Sequence, residues 1–156
     1  QKEGIKTKIV HGVSIHSSIS ETGLMIYKFG KLASIPYPEP ERGYLPFEFY
    51  DVVFENKKRN LHTLLLLDVK LEKGKCMTIP EAVEICFEAE KVKNRKLFTS
   101  EMLLIGTARL GEENQLIACG NPEKLKDINW GSPPHCIIVP SRLHPMEKEY
   151  VDAFLR

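Results

Sequence analysis

Residue types suited to holding a small ligand lie next to the ends of several predicted strands in this sequence. They fall in four short segments, at residues 13–15, 67–68, 109–111 and 132–135. In open α/β sheets, ligands bind in the crevice beyond the strand ends, where backbone groups and small apolar side chains line the site. Each segment alone is more typical of an ordinary loop. Together they predict a ligand-binding crevice at one edge of a sheet.

The sequence contains none of the motifs that usually activate water or a nucleophile. No HExxH, GxSxG or P-loop pattern occurs, and the five histidines have no metal-ligand spacing with the four cysteines. We therefore assign no catalytic residue and no metal ligand. The missing acid–base pair disfavours hydrolases and permits transfer chemistry, in which a cofactor carries the reactive group and the protein supplies position.

Five polar residues near these segments have both a structural and a functional interpretation. For His62, Asp68 and Arg109 the structural interpretation is favoured, as hydrogen-bonding or ion-pairing groups at strand ends. His135 follows two prolines, and contact with a ligand and a loop position stay equally open for it. A helix that starts near Ser14 offers free N–H groups and a dipole, which are suited to an anion.

Apolar patterning predicts alternating strands and helices. The apolar run HTLLLLDV indicates a buried strand, Thr78 and Glu81 form a capping box, and GEEN is typical of a hairpin turn. The prediction is an α/β chain with a mixed sheet. Strands are predicted at 5–10, 33–37, 62–69, 102–108, 115–119 and 136–140, and helices at 14–22, 45–58, 78–92, 122–128 and 144–155.

Composition is that of a globular domain without a strongly charged partner. The 156 residues are 42% hydrophobic and 28% charged, with a net charge of +1. This balance argues against nucleic acid and anionic membranes as partners, and the apolar run at 64–67 is too short to cross a bilayer. The pair Lys28 and Lys31 is predicted to lie on a solvated edge. With no secretion signal in view, we expect a cytoplasmic protein with reduced thiols.

The first residues, QKEGIKTKIVHG, contain neither Met nor a helix-start signal, and 8–10 already has the pattern of a buried strand. Domains rarely begin so close to a core strand. We therefore expect the chain to be the C-terminal part of a longer protein.

Four blocks of the sequence resemble the diphthine synthases, in the same order and at similar spacing. VSIHSSISETGLMIYKFGK is similar to their PSIxSAxGxTGLxxYKFGK, and LHTLLLLDVK to GLHTLLxLDIK. IGTARLG is similar to VxLARxG, and GSPPHCIIVPSRLHPMEKEYV to GxPPHxLIVPxxLHxxExEYL. The resemblance covers residues 4–155, apart from a less similar patch at 38–44, and the compact acidic loops favour an archaeal member.

This resemblance implies a tetrapyrrole-methylase-like fold with two α/β domains and S-adenosylmethionine bound between them. Residues 1–31 would end the N-terminal domain and form the connector, and residues 32–156 would form the C-terminal mixed-sheet domain. The implied reaction is methylation, by a homodimer, of the amino group of a modified histidine on translation elongation factor 2, in diphthamide biosynthesis, with S-adenosylhomocysteine as the second product. The implied cofactor contacts, carried over by matching motif, are Ser14, Ile15, Leu67, Leu110 and His135.

The sequence departs from the family pattern at two positions and in its extent. Position 110 is Leu where the family often has Ala, and Val13 replaces the more usual Pro. The glycine-rich turn and the Gly-Asp-Pro loop of the family's N-terminal domain are not in this chain. We therefore expect these residues alone to bind S-adenosylmethionine poorly and to be inactive; micromolar binding in calorimetry would contradict this expectation.

Two alternatives stay open at this stage. Another methyltransferase of the same superfamily would act on a tetrapyrrole or on ribosomal RNA. A non-catalytic dimerisation or docking role would fit the chain in isolation.

Overall fold

The structure is a computed structural model that describes residues 12, 14–39, 43 and 46–155. The predicted strand at 5–10 and Val13 lie outside the described residues. Among the described residues, three short 3-10 helices cover Ile19–Thr22, Ile26–Lys28 and Leu71–Lys73. The helices are α1 Ile15–Ser18, α2 Glu48–Lys58, α3 Ile79–Lys93, α4 Pro122–Lys126 and α5 Pro145–Ala153; the strands are β1 Ala33–Ile35, β2 Thr63–Leu67, β3 Val69–Lys70, β4 Lys75–Cys76, β5 Leu104–Ala108, β6 Leu116–Gly120 and β7 His135–Val139.

Five of the strands form a mixed sheet in the order β1-β2-β7-β5-β6. β1 and β2 are parallel and are joined by the crossover helix α2, whereas the other three pairs are antiparallel. Among the antiparallel pairs, β5 and β6 are consecutive strands joined by a short turn, whereas β7 lies between β2 and β5 and pairs with both. The predicted α/β class with a mixed sheet is confirmed. β3 and β4 form a separate two-stranded hairpin.

Helices cover both faces of the sheet, because side chains of each buried strand alternate between the two faces. In β7, Ile137 and Val139 join the cluster under α2, α3 and α4, whereas Cys136 and Ile138 join the cluster under α1 and α5. Fully burying one such aliphatic side chain stabilises a fold by about 1.5–3 kcal/mol. The sheet is therefore the central layer, and a ligand can reach its residues only at the sheet edges and at the strand ends.

Local signals placed the elements well, although several of their bounds differ from the prediction by a few residues. The capping box of Thr78 and Glu81 is present, and α3 begins directly after it. The predicted helix at 14–22 is a four-residue α-helix followed by a 3-10 helix, with Gly23 at φ +78° as its stop. α2 begins at Glu48 rather than 45. The strand predicted to reach residue 69 ends at Leu67, and α5 ends at Ala153 rather than 155.

β2 ends where Asp68 leaves the sheet. The backbone N–H of Asp68 donates to the Ile35 carbonyl, and its carboxylate accepts a hydrogen bond of 3.0 Å from the Tyr37 N–H. The predicted structural role of Asp68 is confirmed. The chain then turns into the β3–β4 hairpin, which the sequence pattern had not indicated.

A buried carboxylate fastens the connector at residues 24–31 to α5. Glu147, fully buried, accepts hydrogen bonds from the backbone N–H groups of Met25 (2.9 Å) and His144 (2.7 Å). It also accepts from His62 Nε2 at 3.0 Å and pairs with the Lys28 ammonium at 2.5 Å. The predicted structural role of His62 is confirmed. The prediction of a solvated edge was wrong for Lys28, because its ammonium pairs with this buried carboxylate.

The four cysteines are free thiols, as expected, and Cys86, Cys119 and Cys136 are buried. Among the described residues, no helix combines the length and apolar character needed to cross a membrane. The division of the chain at residue 31 stays a prediction.

Candidate functional site

A cavity of about 440 Å³ lies at the edge of the sheet where β2 and β5 end and β7 begins. The four segments singled out from the sequence meet there in their described parts. The lining residues are Ser14, Ile15, Ser18, Leu66, Leu67, Thr107, Leu110, Gly111, Glu112, Pro134, His135 and Cys136. All five residues implied as cofactor contacts, Ser14, Ile15, Leu67, Leu110 and His135, are among them.

The strand register brings the floor of this cavity together. Leu66 of β2 and Thr107 of β5 both pair with Cys136 of β7, from its two sides. Leu67 is the last residue of β2, and His135 is the first residue of β7. Because neighbouring strands lie about 4.8 Å apart, these side chains form one continuous surface.

The start of α1 forms a second wall. The Ser14 hydroxyl accepts from the His16 N–H at 3.3 Å, and Ser14 and Ser17 form a reciprocal capping box. The capping fixes Ser14 and Ile15 at the cavity. The hydroxyl is used for capping and the helix has only four residues, so this end offers little of the dipole expected for an anion site.

Arg109 holds two loops beside the cavity in place. Its guanidinium donates to the carbonyls of Trp130 (2.8 Å), Ser132 and Asn114 (3.0 and 3.2 Å), and its own N–H donates to Pro134. Its backbone has a φ of +50°, which is unusual for a residue other than glycine. The predicted structural role of Arg109 is confirmed, since its five donor groups match backbone carbonyls rather than an open pocket.

The turn after β5 approaches α1 closely across the cavity. Gly111 has a φ of +90°, and a Cβ at this position would lie 3.0 Å from the Ser18 hydroxyl. The Gly111 N–H donates to the Gln115 side chain, which in turn donates to Glu21. A glycine is therefore required here for its conformation and its lack of a side chain.

His135 is a buried polar residue of this cavity whose ring has no hydrogen-bond partner among the described residues. Its side chain is 4% exposed, and neither ring nitrogen makes a hydrogen bond in the described part of the chain. Burial lowers the pKa of His135, and the nearby Arg109 charge lowers it further; the backbone of Ser132 and Gly131 opposes this effect, although no hydrogen bond of acceptable geometry forms. The ring is therefore neutral at pH 7. It presents one donor and one acceptor to whatever occupies the cavity.

The lining is suited to binding rather than to acid–base or nucleophilic chemistry. Burial raises the pKa of the Cys136 thiol to about 11, so it is not a thiolate nucleophile at neutral pH. Glu112, at the exposed rim, is the one formally charged residue among those that line the cavity in the described part. Among the same described residues no group of three metal-ligating side chains is present.

Sequence reasoning missed several lining residues, namely Ser18, Leu66, Thr107, Glu112 and Cys136. Leu66, Thr107 and Cys136 adjoin or pair with residues in the matched motifs. The pairing of β2 and β5 with β7 brings these three residues together at the cavity. The sequence does not specify such a register between strands that lie up to 70 residues apart.

Comparisons with known proteins show which chains this one is similar to. No protein-family model matches the chain. It is 40% identical over 154 residues to a curated diphthine synthase of Methanospirillum hungatei, covering 98% of this chain and 58% of that protein. It is 36% identical over 148 residues to one of Methanosphaera stadtmanae, covering 94% and 56% respectively.

A crystal structure from Entamoeba histolytica, of a protein provisionally named diphthine synthase, superposes with a TM-score of 0.92 at 29% identity. That match covers 99% of this chain and 62% of the other. The chain thus spans somewhat more than half the length of the relatives it matches. Over that part of their length, the chain is similar to the diphthine synthases both in sequence and in fold.

Proposed function

We propose that this chain forms one wall of the S-adenosylmethionine site of a methyltransferase in diphthamide biosynthesis. The acceptor would be the amino group of the modified histidine of translation elongation factor 2. The observation that carries the proposal is the meeting of Ser14, Ile15, Leu67, Leu110 and His135 on a single cavity, although they lie up to 121 positions apart. Relatives named diphthine synthase support the reaction class.

The cavity has the size and character of a cofactor site. Its volume of about 440 Å³ falls within the roughly 300–1,000 Å³ of small-molecule sites. Ile15, Leu67 and Leu110 offer apolar surface for an adenine ring and a methylene chain. Polar groups are few and converge from different elements, as in sites that orient a ligand rather than react with it.

His135 provides the strongest sign that a ligand belongs here. Leaving a buried polar group without a hydrogen bond costs about 1–3 kcal/mol. A neutral imidazole that lines the cavity with both nitrogens unpaired would recover that cost by bonding a ligand with donor and acceptor groups. The residues present therefore fit S-adenosylmethionine, whose adenine, ribose and amino acid groups supply both.

When bound, S-adenosylmethionine supplies a sulfonium-activated methyl group that needs no further activation by the protein. The chain would then contribute position and exclusion of water. Leu66, Leu67 and Leu110 form a dry surface, and His135 fixes orientation. The Arg109 clamp holds the loops at residues 111–114 and 130–134 at a constant separation across the cavity. Leu110 in place of the more usual Ala would narrow this pocket without removing a backbone contact.

The test is incubation of elongation factor 2 carrying the modified histidine with the full protein and S-adenosylmethionine, followed by mass spectrometry of the modified peptide. We expect one or more added methyl groups, and none when the donor is omitted. Failure of the full protein to add any methyl group would refute the proposal. On the motif resemblance we also propose that the full protein is cytoplasmic and forms a homodimer. Sedimentation equilibrium tests the homodimer.

A further inference from the structure

Residues 14–22, in α1 and the 3-10 helix that follows it, form one wall of the proposed cofactor cavity. The residues of this segment that line the cavity are Ser14, Ile15 and Ser18. The hydroxyls of Ser17 and Ser20 donate to the carbonyls of Ser14 and Ser17, respectively, at 2.8 Å each. These hydroxyls therefore stabilise the turns of the segment itself and do not bond it to the sheet.

One apolar contact and one polar contact hold this wall against the sheet. Ile19 is 2% exposed and belongs to the same buried cluster as Leu64 of β2 and Ile105 of β5. The polar contact is a hydrogen bond from Gln115 Nε2 to the Glu21 carboxylate, between residues 94 positions apart. Among the described residues, it is the one hydrogen bond that joins 14–23 to a distant part of the chain.

The backbone of Gln115 is fixed by the sheet. Its N–H donates to the Glu112 carbonyl at 3.1 Å, which closes the turn between β5 and β6. The next residue, Leu116, is the first of β6 and pairs with Ala108 of β5. The Gln115 side chain therefore extends toward Glu21 from a point that does not move with the 14–22 wall.

The two neighbours of the Gln115 carboxamide determine which way it points. Its Oε1 accepts a hydrogen bond of 2.8 Å from the Gly111 N–H, and a backbone N–H can only donate. The NH₂ group must therefore face Glu21, whose carboxylate accepts. The carboxamide thus bridges Gly111, which lines the cavity, to the segment that forms the other wall.

The bridge lies beside a close approach of the two walls. A Cβ at Gly111 would lie 3.0 Å from the Ser18 hydroxyl, and both residues line the cavity. A bond beside this approach limits how far the walls can separate. Lining groups that are held in place before binding lose less conformational entropy when the ligand binds. The bridge should therefore increase the affinity of the cavity for its ligand.

We propose that Gln115 is a positioning residue of the cofactor site. By bonding Glu21, it holds the 14–22 wall against the turn at 111–115 and sets the width of the cavity for S-adenosylmethionine. This inference rests on the proposed function and adds to it a residue that does not itself line the cavity.

The test substitutes the bridge in the full protein and measures binding of S-adenosylmethionine by calorimetric titration. Gln115→Glu places a carboxylate against the Glu21 carboxylate, and Gln115→Met removes both side-chain bonds at similar volume. Each variant should weaken binding roughly three- to tenfold, as for the loss of about one hydrogen bond. The added charge of Gln115→Glu would by itself act in the opposite direction, because the sulfonium of the ligand is positive.

Adding Glu21→Gln distinguishes the bridge from other effects at position 115. In Glu21→Gln/Gln115→Glu the bridge forms again with its polarity reversed, because the introduced carboxamide donates to the introduced carboxylate, which still accepts the Gly111 N–H. This double variant should bind within about twofold of the wild type, whereas Glu21→Gln added to Gln115→Met should restore nothing. Glu113→Gln is the control, because Glu113 is exposed on the same turn and lies outside the bridge.

The outcomes separate this inference from the function on which it rests. A wild type that does not bind S-adenosylmethionine refutes the proposed function, and the inference falls with it. A wild type that binds, with Gln115→Glu binding equally well or not rescued by Glu21→Gln, refutes the bridge alone. The melting temperature of the free protein should change by less than about 3 °C, because Glu21 is exposed. A larger fall in the Gln115 variants would also overturn the inference, because the bond would then hold the fold rather than the cavity.

Discussion

Replacing His135 with leucine separates the energetic cost of this residue in the free protein from its benefit in the ligand complex. The ring is buried with neither nitrogen bonded. Leucine has a similar volume and no polar atom, so the substitution removes the unpaired groups while keeping most of the packing against Trp130, whose ring centroid lies 6.5 Å away. The free protein should therefore become more stable, and ligand binding should weaken.

The size of both effects follows from the contacts. Removing a buried, unsatisfied group should raise the free energy of unfolding by about 1–3 kcal/mol, and imperfect repacking around leucine should lower it by up to about 1 kcal/mol. A net gain of about 1–2 kcal/mol would raise the melting temperature of a chain of this size by roughly 2–8 °C. Loss of two hydrogen bonds to a ligand, at about 0.5–1.5 kcal/mol each, would weaken binding of S-adenosylmethionine roughly 5- to 150-fold.

The pH dependence of stability gives a second signature. Burial lowers the pKa of His135 below 6.5 in the folded state, so below pH 6.5 the unfolded chain binds a proton that the folded chain does not. This contribution therefore weakens the fold as pH falls through 6.5, by up to about 1.4 kcal/mol per pH unit. Burial also lowers the pKa of His62, but that effect is common to wild type and variant. The difference between the two proteins isolates His135.

Urea denaturation of this chain between pH 5 and pH 8 measures the effects on stability, and calorimetric titration of the full protein with S-adenosylmethionine measures the effect on ligand binding. The comparator is His62→Leu, because His62 is equally buried but bonded on both sides, to the Ser141 N–H at 2.9 Å and to Glu147. We expect His62→Leu to lower stability while His135→Leu raises it. If both substitutions destabilise the protein alike, or if His135→Leu leaves ligand affinity intact, the reasoning about an unpaired imidazole is wrong.

Two further predictions follow from the contacts of Glu147 and Arg109. Glu147→Gln should lower the free energy of unfolding in urea at pH 7 by about 3–5 kcal/mol, because it leaves the largely buried Lys28 ammonium without its carboxylate. Glu123→Gln, which removes a carboxylate from an exposed ion pair, should lower it by less than about 1 kcal/mol. Burial would raise the pKa of Glu147, but the groups that bond its carboxylate lower the pKa from 4.5 to about 2. The stabilisation from this carboxylate is therefore complete above pH 4.5 and is lost as pH falls toward 2. Equal losses of unfolding free energy at pH 7 in Glu147→Gln and Glu123→Gln would contradict this reasoning. In Arg109→Lys the charge is kept, but a lysine side chain cannot bond three backbone carbonyls at once. The affinity for S-adenosylmethionine should therefore fall by roughly tenfold or more. Arg95→Lys, which changes an exposed ion pair, is the control and should bind S-adenosylmethionine as the wild type does.

The sequence was sufficient where structure depends on neighbours along the chain. Thr78 and Glu81 are three residues apart and cap α3 as predicted, and the β5–β6 hairpin closes across its short turn. The meeting of strand ends at one cavity was also predictable, because strand ends on one edge of a sheet share a location. Whether these residues bind the cofactor stays a prediction.

The sequence was insufficient where one side chain depends on distant partners. Glu147 looks like an ordinary surface glutamate of α5, and its burial results from donors more than 80 positions away, Met25, Lys28 and His62. The 69–76 hairpin was missed because its strands have two residues each, and the apolar run before it continued the pattern of β2. Such features have no local sequence signal, because contacts between distant positions of the same chain create them.

The bonds between the connector and Glu147 also impose an order on biosynthesis. Met25 and Lys28 are synthesised 122 and 119 residues before the carboxylate that binds them. At about 5–20 residues per second, translation takes roughly 6–24 s to cover that interval. The connector can therefore take up this anchored position against α5 only after the last part of the chain has been made.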